Sequence, residues 1–144
     1  MVSTQNDSQL SVVVVDSRPV DYTIAASWAK ANDIEFRYLL CGRDALRMAA
    51  AANGSLWMIN VELPDMTGFD LLEMLRVTLE DPFVVMVSDQ YQPQHELRSG
   101  ELNVPCYVCK PLEAQWFDTL LHGLTRESNI PQGRRRHKAP REPH

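Results

Sequence analysis

The feature that leaves this chain fewest ways to fold is a recurrence of short apolar runs without alternation. SVVVVD (11 to 16), SLWMIN (55 to 60), FVVMVS (83 to 88) and VPCYVC (104 to 109) hold apolar side chains at successive positions. Neighbouring side chains of a strand point to opposite faces, so a strand with one wet face alternates apolar and polar residues. Runs without alternation fit strands covered on both faces, as in a parallel sheet between helices. A fifth run, IEFRYLL (34 to 40), alternates more and suits an edge.

Helical patterns separate the runs. Val20, Ile24, Trp28 and Ala31 make one apolar stripe, and Asn32 stands where a left-handed residue would end it. ALRMAAAAN has high helix propensity and stops at Asn53-Gly54. Phe69, Leu72, Leu75 and Leu79 form a third stripe. QPQHELRSG, polar and interrupted by Pro93, is the weakest helix, and Leu112, Phe117, Leu120, Leu121 and Leu124 mark the last. Strict alternation of strand and helix implies right-handed crossovers and a doubly wound sheet, with ligands at the carboxyl ends of its strands. Those ends carry Asp16 and Ser17, Asn60, Ser88 and Asp89, and Lys110.

At 144 residues the chain is one domain's worth. No apolar run reaches membrane-spanning length, and MVSTQNDSQL lacks the basic-then-apolar order of a signal peptide, so a cytoplasmic protein is expected. Cys41, Cys106 and Cys109 are too few for a disulfide framework. The CxxC of the last two falls in a strand, where residues three apart face opposite ways, so buried structural thiols are expected rather than redox chemistry. Charge divides the chain. Up to residue 125 there are 8 basic and 17 acidic residues, and from Arg126 onward 6 basic and 2 acidic. Residues 1–9 read as a disordered N-terminus, 10–125 as the domain, and 126–144 as a basic, disordered tail or linker.

The strand ends resemble the receiver domain of two-component response regulators, with a match over residues 10 to 124. VVVVDSRP resembles the first strand with its acidic pair, and CGRDALRMA the start of the second helix. INVELPDMTGFDLL is similar to the phosphoacceptor strand, with Pro64 and Gly68 at family spacing. VVMVS puts Ser88 at the hydroxyl position, and YVCKP supplies Lys110-Pro111 with Tyr107 as switch aromatic. Six such matches in order are a specific signal. The resemblance implies a flavodoxin-like, five-stranded parallel α/β sheet of order 2-1-3-4-5 with five helices, and a cis Lys110-Pro111 peptide. It also implies acids that hold magnesium, an aspartate that takes a phosphoryl group, and an output face formed by the fourth helix, fifth strand and fifth helix.

Three departures break that chemistry. Asn60 stands at the acceptor position, and an amide oxygen is neither a charged metal ligand nor a competent nucleophile. Ser17 replaces the second acid, leaving Asp16 and the backbone of Glu62 as residual metal donors. Asp89 follows Ser88 where the family prefers a small residue, and is expected to repel a phosphoryl group. The expectation is therefore a degenerate, non-enzymatic receiver that acts through protein interaction, with magnesium binding weak or absent. Lys110 should turn inward to Asp16, Asn60 or both, since an unpaired buried ammonium is costly. Trp116, off the last apolar stripe, is expected to be exposed on the output face, where a partner protein or a second copy would bind. No membrane contact is expected, and nucleic acid only through the basic tail or an effector domain beyond His144.

Two alternatives stand beside this reading. A receiver could phosphorylate a substitute residue, Asp65 or Ser88. A flavin-binding domain would need a glycine- and hydroxyl-rich phosphate loop after the first strand, and DSRPVDYT has no glycine. His95 and His122 read as helix-surface residues, and Asp16 as a cap near Pro19 or a partner of Lys110.

Overall fold

A computed structural model describes residues 10–126. Residues 1–9 and 127–144, where the expected disordered N-terminus and basic tail fall, lie outside it, as does the side chain of Leu124. The strands are β1 (Ser11–Val15), β2 (Glu35–Leu39), β3 (Leu56–Asn60), β4 (Phe83–Ser88) and β5 (Cys106–Cys109). They alternate with helices α1 (Thr23–Ala31), α2 (Gly42–Met48), α3 (Gly68–Thr78), α4 (Pro93–Glu101) and α5 (Ala114–Arg126). Short 3₁₀ turns at Pro19–Tyr22 and Ala50–Ala52 precede α1 and follow α2. All pairings are parallel and the order is β2-β1-β3-β4-β5, so the alternating run is indeed an edge.

The unalternating strands bury both faces, as their composition requires. Val13, Val15, Trp57, Ile59, Val84 and Met86 pack against Ala45, Leu71, Leu72 and Leu75 on one side. Val12, Val14, Met58, Val85 and Val87 pack against Tyr22, Ala25, Trp28 and Phe117 on the other. Each fully buried Val, Leu, Ile, Met or Phe among them contributes about 1.5–3 kcal/mol relative to exposure. Trp28 also donates its Nε1–H to Asp118 Oδ1 at 2.7 Å, tying α1 to α5.

Several local expectations need correction. The buried stripe at α1 is Tyr22, Ala25, Trp28 and Ala29, whereas Val20 and Ile24 are 68% and 51% exposed and Ala31 is exposed. The 3₁₀ turn at Pro19–Tyr22 winds three residues per turn rather than 3.6, which rotates the helix away from the expected register. Asp33 (φ 61°), not Asn32, takes the left-handed position after α1. Pro93 begins α4 rather than interrupting it, in the first turn, where its missing N–H costs nothing. Trp116 is half-buried, because its ring packs edge-to-face on Phe117 with centroids 4.8 Å apart. The three cysteines are free thiols of intermediate exposure.

Candidate functional site

The carboxyl ends of the strands converge on one polar cluster, and the backbone sets it in place. β1 ends at Val15, so Asp16 emerges beside β2, where its N–H donates to Leu39 O at 3.0 Å. Asn60 closes β3 and lies against the start of α3. A methyl at Gly68 would overlap the Asn60 carbonyl oxygen, which is why only glycine suits that position. Lys110 leaves β5 with its N–H bonded to Ser88 O at 2.9 Å, and the peptide to Pro111 is cis, as the resemblance implied.

Lys110 is the hub. Its ammonium lies 3.0 Å from Asp16 Oδ2, 2.7 Å from Asp21 Oδ2 and 2.9 Å from Asp89 Oδ1. An ammonium has three N–H donors, so these three carboxylates fill its capacity. The side chain is 10% exposed, Asp16 2%, Asp21 24% and Asp89 56%. Burial alone would depress the lysine pKa, but the bonds to Asp21, Asp89 and Asp16 outweigh it and raise the pKa above the ordinary value. The Lys110 bond, then the Arg18 bond, hold Asp21 below the usual carboxylate range. Asp89 is held low by Lys110 first and by Asn60 after it.

Asp16 is equally committed. Its Oδ1 accepts the Arg18 N–H at 3.0 Å, while Oδ2 accepts from Tyr22 Oη at 2.8 Å, Asn60 Nδ2 at 2.9 Å and Lys110. The reading of Asp16 as lysine partner therefore holds, whereas the helix-cap reading does not: the N-cap of the Pro19 turn is Arg18, and Asp16 closes a local turn onto its N–H instead. Burial, then the charge of Asp16, push the Tyr22 phenol well above its ordinary pKa, so it remains a donor.

Asn60 fits this surrounding because an amide both donates and accepts. Its Nδ2 donates to Asp16 Oδ2 and to Asp89 Oδ1 at 3.0 Å, and its Oδ1 accepts the Glu62 N–H at 2.8 Å. Carboxylates only accept, so this orientation alone satisfies all three neighbours. Of the two partners expected for Lys110, Asp16 takes the ammonium, and the amide meets the partners of Lys110 instead. Asp89 is drawn into the same cluster. It binds the lysine and the amide, because both offer hydrogen-bond donors to it. Ser17 is exposed and Glu62 turns its side chain to solvent.

The switch residues are also bonded. Ser88 Oγ donates its one proton to Gln90 O at 2.7 Å, so it accepts from His95 Nδ1–H at 2.9 Å. His95 is thus half-buried and engaged, not a simple surface residue. Tyr107 Oη accepts the Gln92 N–H at 3.3 Å, and burial pushes its pKa up to about 12. Asp65 caps α2, accepting from Gly42 N at 2.8 Å and Arg43 N at 2.9 Å.

A cleft of about 520 Å³ opens above the cluster, lined by Arg18, Asp21, Asp89, Lys110 and Pro111. Sequence reading missed Arg18, Asp21 and Tyr22. The only signal for them was their place within six residues of Asp16.

Magnesium, which the fold family implies, does not fit the donors as they stand. Asp16 Oδ2 already takes three donors, Asn60 Oδ1 takes the Glu62 N–H, and position 17 offers a hydroxyl. Among the described residues, no group of three His, Cys, Asp or Glu side chains is placed to hold a metal ion. Among them also, no helix is long and apolar enough to cross a membrane.

A family model described as the response regulator receiver domain matches residues 12–122. Solved structures share the architecture. A CheY-like receiver domain protein from Methanospirillum hungatei JF-1 superposes with TM-score 0.71 at 17% identity, over 80% of this chain and 92% of that one. Chemotaxis protein CheY4 of Vibrio cholerae gives TM-score 0.71 at 20% identity, over 81% and 100%. The activated receiver domain of Klebsiella pneumoniae RstA gives 0.68 at 18%, over 78% and 95%. At such identities the likeness shows the fold. No curated protein matches the sequence.

Proposed function

Since the chain belongs to the response-regulator receiver domain family of two-component signalling, we propose that it keeps the receiver fold, has lost phosphoryl transfer, and acts as a phosphorylation-independent protein-interaction module. One observation carries this reading: the lysine that would bind a phosphoryl group has all three donors on Asp16, Asp21 and Asp89. An incoming anion would have to break charge-assisted bonds, each about twice as strong as a neutral one. At the acceptor position the Asn60 amide bridges Asp16 and Asp89, and so ties both acids with donors of this chain's own. Magnesium has no role on this reading.

A substitute acceptor draws no support from the geometry. Both oxygens of Asp65 are taken by helix N–H groups, and the Ser88 proton goes to the Gln90 carbonyl, which leaves the neighbouring His95 imidazole as a donor to Ser88 Oγ and not as its base. The interaction surface we assign is the face of α4, β5 and α5. It carries exposed Tyr91 and Leu97, with Tyr107 and Trp116 half-buried beside them. With the pocket fixed, that face presents one shape to a partner protein or a second copy.

Incubation with acetyl phosphate in millimolar magnesium tests the reading, with intact-mass spectrometry as the readout. The mass should not change. An adduct of one phosphoryl group on the natural sequence would overturn it.

A further inference from the structure

Asp21 occupies the place an incoming anion would need. It sits on the 3₁₀ turn Pro19–Tyr22, where residues three apart eclipse, so Arg18 and Asp21 share one edge. The turn is anchored at both ends on Asp16, through the Arg18 N–H and the Tyr22 hydroxyl, which aims that edge into the cleft. One oxygen of Asp21, Oδ2, accepts from Arg18 Nε at 3.0 Å and from Lys110 Nζ at 2.7 Å. A carboxylate bridging two cations on the wall of a cleft is an anion already seated.

We propose that Asp21 is an internal counter-anion that holds Lys110 independently of residue 60, so that restoring a carboxylate at position 60 leaves the pocket shut. This rests on the loss of phosphoryl transfer proposed for the domain and adds a second lock to it. Asp21 and Asp89 differ in what anchors them. Asp89 is 56% exposed and is held by Lys110 and by the Asn60 amide. Asn60→Asp removes that amide and sets a like charge 3.0 Å away, so Asp89 releases toward solvent. The partners of Asp21 are Arg18 and Lys110, and neither depends on position 60. Asp16 also holds Lys110, but it is the acid a divalent cation would draw away. With Asp21 uncharged, Arg18 and Lys110 both turn free donors to the cleft, a pair suited to a small tetrahedral oxyanion.

The test compares two backgrounds by intact mass, with acetyl phosphate and magnesium as the probes. Asn60→Asp with Ser17→Asp should take up phosphate slowly, and adding Asp21→Asn should raise the initial rate at least tenfold. Adding Asp21→Glu instead should not, since it keeps the charge. Equal rates with and without Asp21→Asn would overturn the proposal. A second readout uses the otherwise natural sequence: nitrogen NMR of the Lys110 ammonium. Asp21→Asn should lower its pKa and speed exchange of its protons, and an unmoved signal would overturn the proposal even if the multiple variants fail to fold. Phosphorylation of the natural protein would instead refute the loss of phosphoryl transfer, and the comparison between variants would still stand.

Discussion

At the carboxyl ends of the strands one set of side chains, gathered on Lys110, meets through charge, whereas a second set, running from Ser88 into α4 and to Tyr107, meets through neutral hydrogen bonds. Asp16, Asp21 and Asp89 converge on Lys110, with Arg18 outside them. Across β4, Ser88 bonds Gln90 and His95, and Tyr107 bonds Gln92, with no ion pair in that set. The segment from Ser88 to Gln92 joins the two halves, since Asp89 faces one and Gln90 and Gln92 face the other. The difference shows which part of the pocket the proposed loss of phosphoryl transfer rests on. In a working receiver, a change of charge in the first half moves the second. Here the charged half is closed on itself by ion pairs, and on the function proposed above the neutral half would receive no signal.

The sharpest way to break this comparison is to remove the hub. Lys110→Met leaves three carboxylates around a site where Asp16 is 2% exposed. Truncating one partner of a buried pair costs about 3–5 kcal/mol. Chemical denaturation should show a loss of that order, and a loss under about 1 kcal/mol would mean that the network contributes little. Asn60→Asp comes next. It turns a donor into a third acid beside Asp16 and Asp89, and a cost of about 1–3 kcal/mol is expected without metal. Millimolar magnesium should recover little of it unless Ser17→Asp is present as well. Full recovery by the single variant would show that the second acid is dispensable.

The sequence made the scaffold legible because burial on both faces leaves its mark in every core strand. It also exposed the pocket, since Asp16, Asn60, Ser88 and Lys110 end strands of a parallel sheet. What it hid are partnerships that depend on contacts across the chain. Asp21 meets Lys110 from 89 positions away, and nothing local to PVDY announces it. For Asp89 the charge was readable but not its partners, because Lys110 and Asn60 reach it from other strand ends. The stripe of α1 was misplaced because a preceding 3₁₀ turn rotates the helix, and Trp116 because Phe117 shelters its ring.

Acid separates the halves more gently. Asp21 and Asp89 both have pKa values below 3.8 in the fold, so their contribution is complete at neutral pH. It is lost only as pH falls through the depressed folded values, below about 4. Lys110, raised above 10.5, contributes fully below that value and loses its share as pH climbs past it. Stability from the charged half should therefore be flat between about pH 5 and 10 and fall on both sides. Asp21→Asn should shallow the acid limb of a plot of denaturation midpoint against pH. An acid limb of unchanged slope would remove Asp21 from the network.

The smallest effect belongs to the neutral half, and it tests whether the halves are separate at all. Ser88→Ala takes a donor from Gln90 O and an acceptor from His95 Nδ1–H. Neither lost bond is charge-assisted, and Gln90 is exposed enough for water to replace the donor, so the cost should be about 1 kcal/mol. His95 keeps its ring against Phe69, with centroids 6.2 Å apart, so α4 should remain docked. The decisive quantity is elsewhere. In Ser88→Ala the Lys110 ammonium should keep its NMR position and its raised pKa, because every donor it has is spent on carboxylates outside the neutral set. In the same variant the Tyr107 ring should shift, since the loop that carries Gln92 loses one of its ties. A Lys110 signal that moves together with Tyr107 would show that the two halves still communicate, and that the pocket retains the coupling a working receiver needs.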